Sequence, residues 1–386
     1  MIEQGKAVFL NTYAQFPLVF VKGEGRTLYD DQHKGYLDLV GGIATNALGY
    51  GHKGYLAALK KVLDQGVVHV SNLYWNPYAI KAAKRIVELT QLSKVFFCNS
   101  GTEANEAAIK IARKYGQQKN QIICMEHSFH GRTYGSLSAT GQTKYQSSFG
   151  PMLGGFDFVP FGDLQALEHA ITEDTCAIMV EVIQGEGGIH QGPQSYWDAL
   201  TQLCEKHNLL LICDEIQSGM GRTGLPFAYQ GVGLKPDIVT MAKGLGGGLP
   251  IGAVACAPSV ADVLVPGDHG STFGGNLLAT AAADYVLSQL QETDLLDHVK
   301  EVGSHLKKSL IQLQKEFPSI SEIRGEGLML AIQMDTEVRP IIEQCMKQGL
   351  LLANAGAYVL RMVPPLTITK EECDKAINVL ADVLAN

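Results

Sequence analysis

The sequence predicts an α/β fold, with a mainly parallel sheet in a large domain and a smaller α/β domain beside it. Of the 386 residues, 46% are hydrophobic and 18% are charged, which suits a chain with a large buried core. Between about residues 50 and 280, short apolar runs alternate with helix-like segments, as in parallel sheets covered by helices on both faces. Beyond this part, long amphipathic stretches are followed by short strands.

The N-terminal segment, residues 1–49, is predicted to form turns and short strands that pack with the smaller domain. Turn clusters at Gly23–Gly25 and Asp30–Gly35 separate its apolar stretches. The pattern becomes helical at Lys53–Gln65. A second helix begins at Asn76-Pro77, with the asparagine as N-cap and the proline at the first helical position.

The large domain, residues 50–280, contains the predicted sheet. Its strands are the apolar runs Val95–Cys98, Gln121–Met125, Phe158–Phe161, Ala177–Ile183, Leu209–Cys213, Ile238–Met241 and Ala253–Cys256. The helical segments between them are Glu103–Tyr115, Leu164–Ile171 and Tyr196–His207. In sheets of this kind, ligands bind at the edge where the carboxyl ends of the strands meet.

The small domain, residues 281–386, begins with two long amphipathic helices. Short strands follow at Ile323–Met334 and Ala357–Val363. Thr369 opens a final helix with a capping-box sequence.

Composition argues against several classes of function. The formal net charge of −8 disfavours nucleic acid or an anionic membrane as the main partner. No apolar run reaches the length of a membrane-spanning helix, and the N-terminus lacks the pattern of a secretory signal. The eight cysteines form no CxxC pair and no metal-binding motif is present, so we expect buried, reduced thiols in a cytoplasmic protein.

Polar residues follow three of the predicted strands. Ser100-Gly101-Thr102-Glu103 opens a helix after the first of them, where free N–H groups and hydroxyls favour a phosphate group. Asp214-Glu215 ends a later strand, and Lys243 follows the next one beside a glycine-rich stretch. Taken singly, each has an ordinary explanation, as a capped helix, a salt-bridged aspartate or a solvated lysine.

Together these residues meet the requirements of pyridoxal phosphate. The aldehyde of this cofactor needs a lysine, its phosphate needs N–H donors and hydroxyls, and its pyridine nitrogen needs an anionic partner. Gly219–Gly224 formally matches the GxGxxG pattern of dinucleotide-binding proteins. However, it does not directly follow a strand, and Pro226 interrupts the helix that it would open. P-loop, HExxH and GxSxG motifs are absent from the sequence.

The sequence resembles the class III, fold-type-I aminotransferases over nearly its whole length. Six ordered segments carry the resemblance: Asn99–Glu106, Ser128–Thr133, Glu181–Gly188, Asp214–Gly219, Ala242–Gly244 and Gly270–Asn276. The resemblance implies a fold-type-I transferase that binds pyridoxal 5'-phosphate and forms a homodimer with shared active sites. One departure is Glu181-Val182, where much of the family has Glu-Pro; it affects local rigidity rather than the chemistry.

The resemblance also implies roles at the cofactor. Lys243 would form the Schiff base and then move the substrate proton, and Asp214 would pair with the pyridinium nitrogen. Phe129 would stack on the ring, unless it is an ordinary core aromatic. The other implied cofactor-binding residues are Ser100, Gly101 and Thr102 at the phosphate, Glu215, Gln217 near the 3-hydroxyl, and Thr272 at the phosphate in the neighbouring subunit. For Gln217 and Thr272, stabilisation of a loop is the ordinary alternative.

For the substrates, the resemblance implies that Arg132 binds an α-carboxylate, which a planar guanidinium grips with two hydrogen bonds. Ser271 would add to the binding of the acylated substrate. Glu186 and Arg361 resemble the gating pair of the family. Arg361 would hold the α-carboxylate of glutamate or 2-oxoglutarate, and Glu186 would neutralise it when the amine-bearing substrate is bound. A surface salt bridge is the alternative for either residue.

The implied reaction is a ping-pong transfer of the terminal amino group of N2-acetyl-L-ornithine to 2-oxoglutarate, as in arginine biosynthesis. Ornithine, succinylornithine, succinyl-diaminopimelate and 4-aminobutyrate are alternative substrates. The last is the weakest, because it has no α-carboxylate for Arg132. An aminomutase on the same fold and a non-catalytic regulatory protein stay open, although intact Lys243, Asp214 and Arg132 argue against the second.

Overall fold

A computed structural model describes residues 1–385 of the chain. The strands are β1 (Phe20–Glu24), β2 (Thr27–Asp30), β3 (Gly35–Asp38), β4 (Lys94–Cys98), β5 (Gln121–Met125), β6 (Phe156–Val159), β7 (Thr175–Val180), β8 (Ile183–Gln184), β9 (His190–Gln191), β10 (Leu210–Asp214), β11 (Ile238–Met241), β12 (Gly252–Cys256), β13 (Ile320–Glu326), β14 (Met329–Met334), β15 (Leu350–Leu351), β16 (Ala353–Asn354) and β17 (Val359–Met362). The α-helices are α1 (Ile2–Val8), α2 (Gly41–Ala44), α3 (Lys53–Asp64), α4 (Pro77–Thr90), α5 (Gly101–Gly116), α6 (Tyr134–Ser138), α7 (Thr143–Gln146), α8 (Leu164–Ala170), α9 (Gln194–His207), α10 (Ala228–Gly231), α11 (Leu277–Glu292), α12 (Leu295–Glu316), α13 (Arg339–Lys347) and α14 (Lys370–Leu384).

The central sheet has seven strands in the order β4-β12-β11-β10-β7-β5-β6. Its neighbouring strands are parallel except where β12 pairs antiparallel with β4 and β11. The prediction of a mainly parallel sheet is therefore confirmed. All residues of β7 and β10 are buried, as expected for strands that helices cover on both faces.

Some predicted elements differ from the structure. The segment predicted as turns and strands begins with α1, which has no buried residue and therefore shows no apolar periodicity in the sequence. The strand predicted at Phe158–Phe161 ends earlier, at Val159, because Pro160 has no N–H to continue the ladder. The stretch Ile323–Met334 is a hairpin of β13 and β14, with Gly327 in the left-handed region at φ 56° between them.

The N-terminal and C-terminal parts of the chain meet in a second sheet, ordered β1-β2-β3-β15, in which β3 runs parallel to β15. A third sheet, ordered β13-β14-β17-β16, lies in the C-terminal part. Arg26 and Glu372 join the two parts through two hydrogen bonds of 2.8 Å. The division into residues 1–49, 50–280 and 281–386 stays a prediction; the shared sheet supports the packing of the first segment with the last, while the boundary at 280 falls inside α11. Asn386, the last residue of the predicted small domain, lies outside the described residues.

Several local predictions are confirmed. Asn76 caps α4 by accepting a hydrogen bond from the N–H of Ala79, and Pro77 occupies the first helical turn. Thr369 and Glu372 form the predicted capping box of α14. All eight cysteines are buried free thiols. Within residues 1–385, no helix combines the length and apolar character needed to span a membrane.

Candidate active site

A cavity of about 410 Å³ lies at the carboxyl ends of the parallel strands. The predicted site residues that line it are Ser100, Gly101, Thr102, Phe129, Arg132, Glu186, Asp214, Gln217 and Lys243. They lie at or after the ends of β4, β5, β8, β10 and β11, and most of them meet here because the parallel strands of the central sheet end at the same edge.

The start of α5 forms one wall of the cavity. Ser100 caps this helix by accepting a hydrogen bond from the N–H of Glu103 (3.3 Å), and the Glu103 carboxylate accepts one from the N–H of Asn99 (2.6 Å). The N–H groups of Gly101 and Thr102 begin the helix and donate to no acceptor within residues 1–385. Unpaired N–H groups beside a serine hydroxyl suit the binding of a phosphate group.

Asp214, at the end of β10, is 4% exposed and is held by three donors. Its Oδ2 accepts hydrogen bonds from His130 Nδ1 (2.7 Å) and Asn105 Nδ2 (2.8 Å), and its Oδ1 accepts one from the N–H of Ile216 (3.0 Å). Burial disfavours a charged His130, but the hydrogen bond to Asp214 and the charge of that carboxylate outweigh it and raise the pKa of His130. The result is a fixed anionic group inside the cavity.

His130 and Asn105 were not assigned roles from the sequence. Each lies in one of the segments that resemble the family, and that position was the available signal. His130 lies 84 positions from Asp214 in the chain and Asn105 lies 109 positions from it, so no local sequence pattern reveals these contacts.

Glu181 also lines the cavity without having been assigned a role. Its carboxylate accepts hydrogen bonds from the N–H groups of Phe129 (3.0 Å) and Gly185 (3.1 Å), and burial raises its pKa. Glu181 therefore links the segment that contains Phe129 to the loop that carries Glu186.

Lys243 follows β11 and begins a short 3₁₀ turn. Its φ of 42° lies in a region that residues other than glycine seldom adopt, as is common at functional sites. Burial lowers the pKa of its ammonium group, and the Arg361 cation acts in the same direction, against the raising effect of the Glu186 and Asp214 carboxylates. A lysine with a lowered pKa is suited to act as a nucleophile and as a proton carrier.

Arg361, on β17, is 1% exposed and reaches the cavity through its pair with Glu186 (Nη1–Oε1 2.5 Å). Arg361 Nη1 also donates to the carbonyl of Gly185 (3.0 Å) and to Gln217 Oε1 (3.1 Å), while its buried Nε has no partner among the described residues. Burial disfavours an ionised Glu186, but the charge of Arg361 outweighs it and lowers the pKa of Glu186. The pair joins a buried arginine to a half-buried glutamate and is therefore not an exposed surface salt bridge.

The guanidinium of Arg132 rests on aromatic rings. Its central carbon lies 4.0 Å from the ring centre of Tyr145 and 5.5 Å from that of Phe129. The two rings meet edge to face, with 5.8 Å between their centres. Tyr145, which the sequence analysis did not assign, keeps the arginine at the rim of the cavity by a cation–π contact.

Besides Arg361, which reaches the cavity only through Glu186, three predicted site residues do not line this cavity. Ser271 lies just outside it and accepts a hydrogen bond from Asn99 (2.9 Å), and Thr272 is exposed beside it. A contact of Thr272 with a neighbouring subunit stays a prediction.

Glu215 is the third, and the structure does not support its predicted contact with a cofactor. Its carboxylate accepts hydrogen bonds from Ser218 Oγ (2.8 Å) and from the N–H groups of Ala228 (3.1 Å) and Tyr229 (2.7 Å). The side chains of Asp214 and Glu215 are consecutive at the end of an extended strand and therefore point to opposite faces. Glu215 instead secures the loop that carries Gln217.

Glu215 is expected to make folding stability depend on pH. Burial raises the pKa of its carboxyl group from 4.5 to about 7. Its contribution to stability is fully present below about pH 4.5 and is lost as the pH rises to about 7, by up to about 3 kcal/mol. Urea titrations measure the unfolding free energy of the wild type and of Glu215→Gln. We expect the wild-type value minus the variant value to decrease as the pH rises from about 5 to about 8.

The exposed Glu205 on α9 provides the matched control. Its change to glutamine is expected to leave the pH dependence of stability as in the wild type. A difference between wild type and Glu215→Gln that stays constant with pH would contradict the account of Glu215.

Comparisons with known proteins match the whole chain. Residues 8–384 match the model of the family described as aminotransferase class-III. An acetylornithine aminotransferase of Caldanaerobacter subterraneus subsp. tengcongensis is 47% identical, over 100% of this chain and 99% of that protein.

Two solved structures extend the similarity to the fold. One is an ornithine aminotransferase of Toxoplasma gondii with pyridoxal phosphate partly occupying its active site. Its TM-score is 0.94 and its identity 32%, over 99% of this chain and 93% of that chain. The other is an N-acetylornithine aminotransferase of Stenotrophomonas maltophilia, with a TM-score of 0.85 and 34% identity over 100% of this chain and 98% of that chain. The family and fold class predicted from the sequence segments are confirmed, and the chain belongs to the class III aminotransferases.

Proposed function

We propose that the protein transfers the terminal amino group of N2-acetyl-L-ornithine to 2-oxoglutarate, with pyridoxal 5'-phosphate as cofactor. The products are N-acetyl-L-glutamate 5-semialdehyde and L-glutamate, as in arginine biosynthesis. Full-length similarity to acetylornithine aminotransferases supports the substrate. The observation that carries the proposal is the ion pair between the buried Arg361 and the half-buried Glu186, which lines the cavity together with Arg132.

The residues of the cavity fit the cofactor. The unpaired N–H groups of Gly101 and Thr102 and the hydroxyl of Ser100 suit its phosphate, and Phe129 suits its ring. Asp214, held by its donors, suits the protonated ring nitrogen. When bound, pyridoxal phosphate supplies an aldehyde carbon for the amine and a ring that takes up the electron pair left by the departing proton.

Lys243 performs the proton transfer. Its lowered pKa increases the fraction of neutral amine, which takes the proton from the carbon that bears the terminal amino group. The same Nζ would then hold the proton and return it to the carbon on the other side of the amine nitrogen, which is the former aldehyde carbon of the cofactor.

The pair of Arg361 and Glu186 explains how one cavity accepts two unlike substrates. With the pair closed, as here, the charge of Arg361 is neutralised, which suits the uncharged carbon chain next to the terminal amine. Arg132 then binds the distant α-carboxylate with two hydrogen bonds. A substrate with a carboxylate at each end, such as 2-oxoglutarate, needs Arg361 as well. Glu186 must then move away from Arg361 so that the second carboxylate can bind the guanidinium.

Glu186→Ala is expected to shift the preference of the enzyme toward dicarboxylates. Arg361 becomes an unpaired buried cation that attracts the α-carboxylate of glutamate and repels the ammonium of N-acetylornithine. We expect the ratio of kcat/KM for glutamate to kcat/KM for N-acetylornithine to rise by at least about tenfold, the factor given by 1.4 kcal/mol. Half-reaction rates with each amine measure this ratio. An unchanged ratio would remove the pair from the account of substrate selection.

Isotope transfer tests the proposed function. N-acetylornithine with ¹⁵N at its terminal amine and unlabelled 2-oxoglutarate should give ¹⁵N-glutamate, detected by mass spectrometry. Label that stays on the carbon skeleton, without any need for 2-oxoglutarate, would indicate an aminomutase instead. No transfer from N-acetylornithine, with transfer from ornithine or a succinylated amine, would move the proposal to that substrate.

A homodimer with shared active sites is part of the proposal. Leu73, Tyr74 and Trp75 expose most of their apolar side chains, with Trp75 at 91%, and Phe273 is exposed nearby in sequence to Thr272. Asn72 joins the two segments through a 2.7 Å hydrogen bond to the carbonyl of Ser271. An apolar surface of this kind suits a second copy of the chain. Light scattering should give twice the chain mass, and a monomer that is fully active would contradict it.

A cytoplasmic location is also proposed. It is supported by the eight free and buried cysteines, since reduced thiols are usual in the cytoplasm. Fractionation of cells that produce the protein tests this location, with recovery in a secreted fraction as the contrary result.

A further inference from the structure

We propose that Glu106 is a positioning residue for substrate carboxylates, because it fixes the loop that carries Arg132. The proposal rests on the role given to Arg132 in the proposed function. It adds that the helix that begins at the phosphate-binding end of the cavity also sets the place of the carboxylate-binding arginine.

Glu106 lies on α5, and its carboxylate contacts the start of α6, directly after Arg132. Glu106 Oε1 accepts a hydrogen bond from the N–H of Ser136 (2.9 Å) and another from the hydroxyl of Thr133. Hydrogen bonds to an ionised acceptor are stronger than those between neutral groups. One carboxylate oxygen therefore holds both the end of the Arg132 loop, at Thr133, and the first turn of α6, at Ser136.

Thr102, one turn earlier on α5, fastens the same loop. Its Oγ1 accepts hydrogen bonds from the N–H groups of Arg132 (3.3 Å) and Thr133 (3.2 Å). It also contacts the hydroxyls of Thr133 (2.8 Å) and Ser136 (2.5 Å). A hydroxyl has one proton to donate and two lone pairs. The side chain of Thr102 is thus committed to the Arg132 loop, while its N–H stays available to a phosphate.

Gly135 shows that the position of Glu106 is built into the packing. A Cβ added at Gly135 would lie 2.8 Å from Cδ of Glu106 and closer still to one of its oxygens. Glycine is otherwise unfavourable inside a helix such as α6. The carboxylate of Glu106 occupies the space that a side chain at position 135 would need.

These contacts bear on binding because a guanidinium grips a carboxylate only in a narrow range of orientations. The side chain of Arg132 is placed by Tyr145, and its backbone is placed by Thr102 and, through Thr133, by Glu106. Loss of the Glu106 charge weakens the hold on the loop without touching the residues that suit the cofactor.

Two variants and two amines test the proposal on the cofactor-loaded protein. The variants are Glu106→Gln and Gly135→Ala, and Glu168→Gln, on the remote helix α8, is the matched control. The amines are N-acetylornithine and N-acetylputrescine, which is the same molecule without the α-carboxylate. Half-reactions give the apparent Kd and the limiting rate for each amine, and calorimetry gives the Kd of glutarate, a dicarboxylate that does not react.

We expect both variants to raise the apparent Kd of N-acetylornithine and the Kd of glutarate by roughly tenfold, the effect of losing a charged hydrogen bond. The limiting rates and all values for N-acetylputrescine should stay within about twofold of the wild type. In Glu106→Ala, a second change Gly135→Ala should cause no further loss, because the alanine then has space.

Three outcomes would overturn the proposal: equal losses with both amines, which mark a merely structural role; an unchanged Kd for N-acetylornithine and glutarate; or additive losses in the double variant. The variant Arg132→Met shows whether a negative result concerns the role of Glu106 or the role of Arg132 in the proposed function. If Arg132→Met still prefers N-acetylornithine to N-acetylputrescine, the role of Arg132 itself is wrong. If it loses the preference while Glu106→Gln keeps it, the role of Glu106 alone is wrong.

Discussion

Replacement of Lys243 by alanine is expected to abolish transamination, with kcat/KM lowered by at least about 10⁴-fold. Lys243 is the lysine that lines the cavity, and it has the lowered pKa that a nucleophile and base needs. Neither Glu186 nor Asp214 is free to replace it, because Glu186 is paired with Arg361 and Asp214 is held by His130 and Asn105. Single-turnover rates with N-acetylornithine measure the loss.

The control for this variant is Lys235→Ala, since Lys235 is exposed. It should keep the wild-type rate. The absorbance of the bound cofactor should change in Lys243→Ala and stay as in the wild type in the control. A Lys243→Ala variant within about tenfold of the wild-type rate would remove the lysine from the chemistry. A biological role that survives in this variant would favour the non-catalytic alternative.

Asp214→Asn is expected to have the second largest effect, a fall in kcat of about 10²–10³-fold with little change in KM. Asparagine has nearly the same shape but no charge, so the ring nitrogen of the cofactor loses the anion that keeps it protonated. His130, whose raised pKa depends on the Asp214 carboxylate, loses that partner at the same time. Substrate carboxylates bind elsewhere, at Arg132, so affinity should be spared.

Steady-state kinetics with both substrates tests this expectation, and Asp198→Asn on the exposed side of α9 is the control. Cofactor content, measured after dialysis, should stay close to that of the wild type because the phosphate-binding end of α5 and Lys243 are unchanged. A kcat within about threefold of the wild type would show that the charge of Asp214 is not needed.

The sequence was sufficient for the parts of the fold and site that local patterns determine. Apolar runs between helical segments predicted the parallel sheet, and the position of Lys243 and Asp214 at strand ends predicted the edge at which they meet. The helix α1 was missed because an exposed helix has no apolar stripe.

Other features depend on contacts between distant residues. Glu215 was placed at the cofactor with its neighbour Asp214, although successive residues of a strand point in opposite directions. The hold of His130 on Asp214, and that of Glu106 on the Arg132 loop, need the packed structure, because hydrogen-bond partners across a cavity leave no local pattern.

The half-reaction of the cofactor-loaded protein is the most direct test of N-acetylornithine as the amine donor. N-acetylornithine, ornithine, succinyl-diaminopimelate and 4-aminobutyrate are added separately while the absorbance of the bound cofactor is followed. We expect rapid conversion by N-acetylornithine and recovery of the original spectrum when 2-oxoglutarate is added. Conversion by another amine alone would change the substrate and keep the chemistry. A protein saturated with pyridoxal phosphate that shows no absorbance change with any amine would contradict the account.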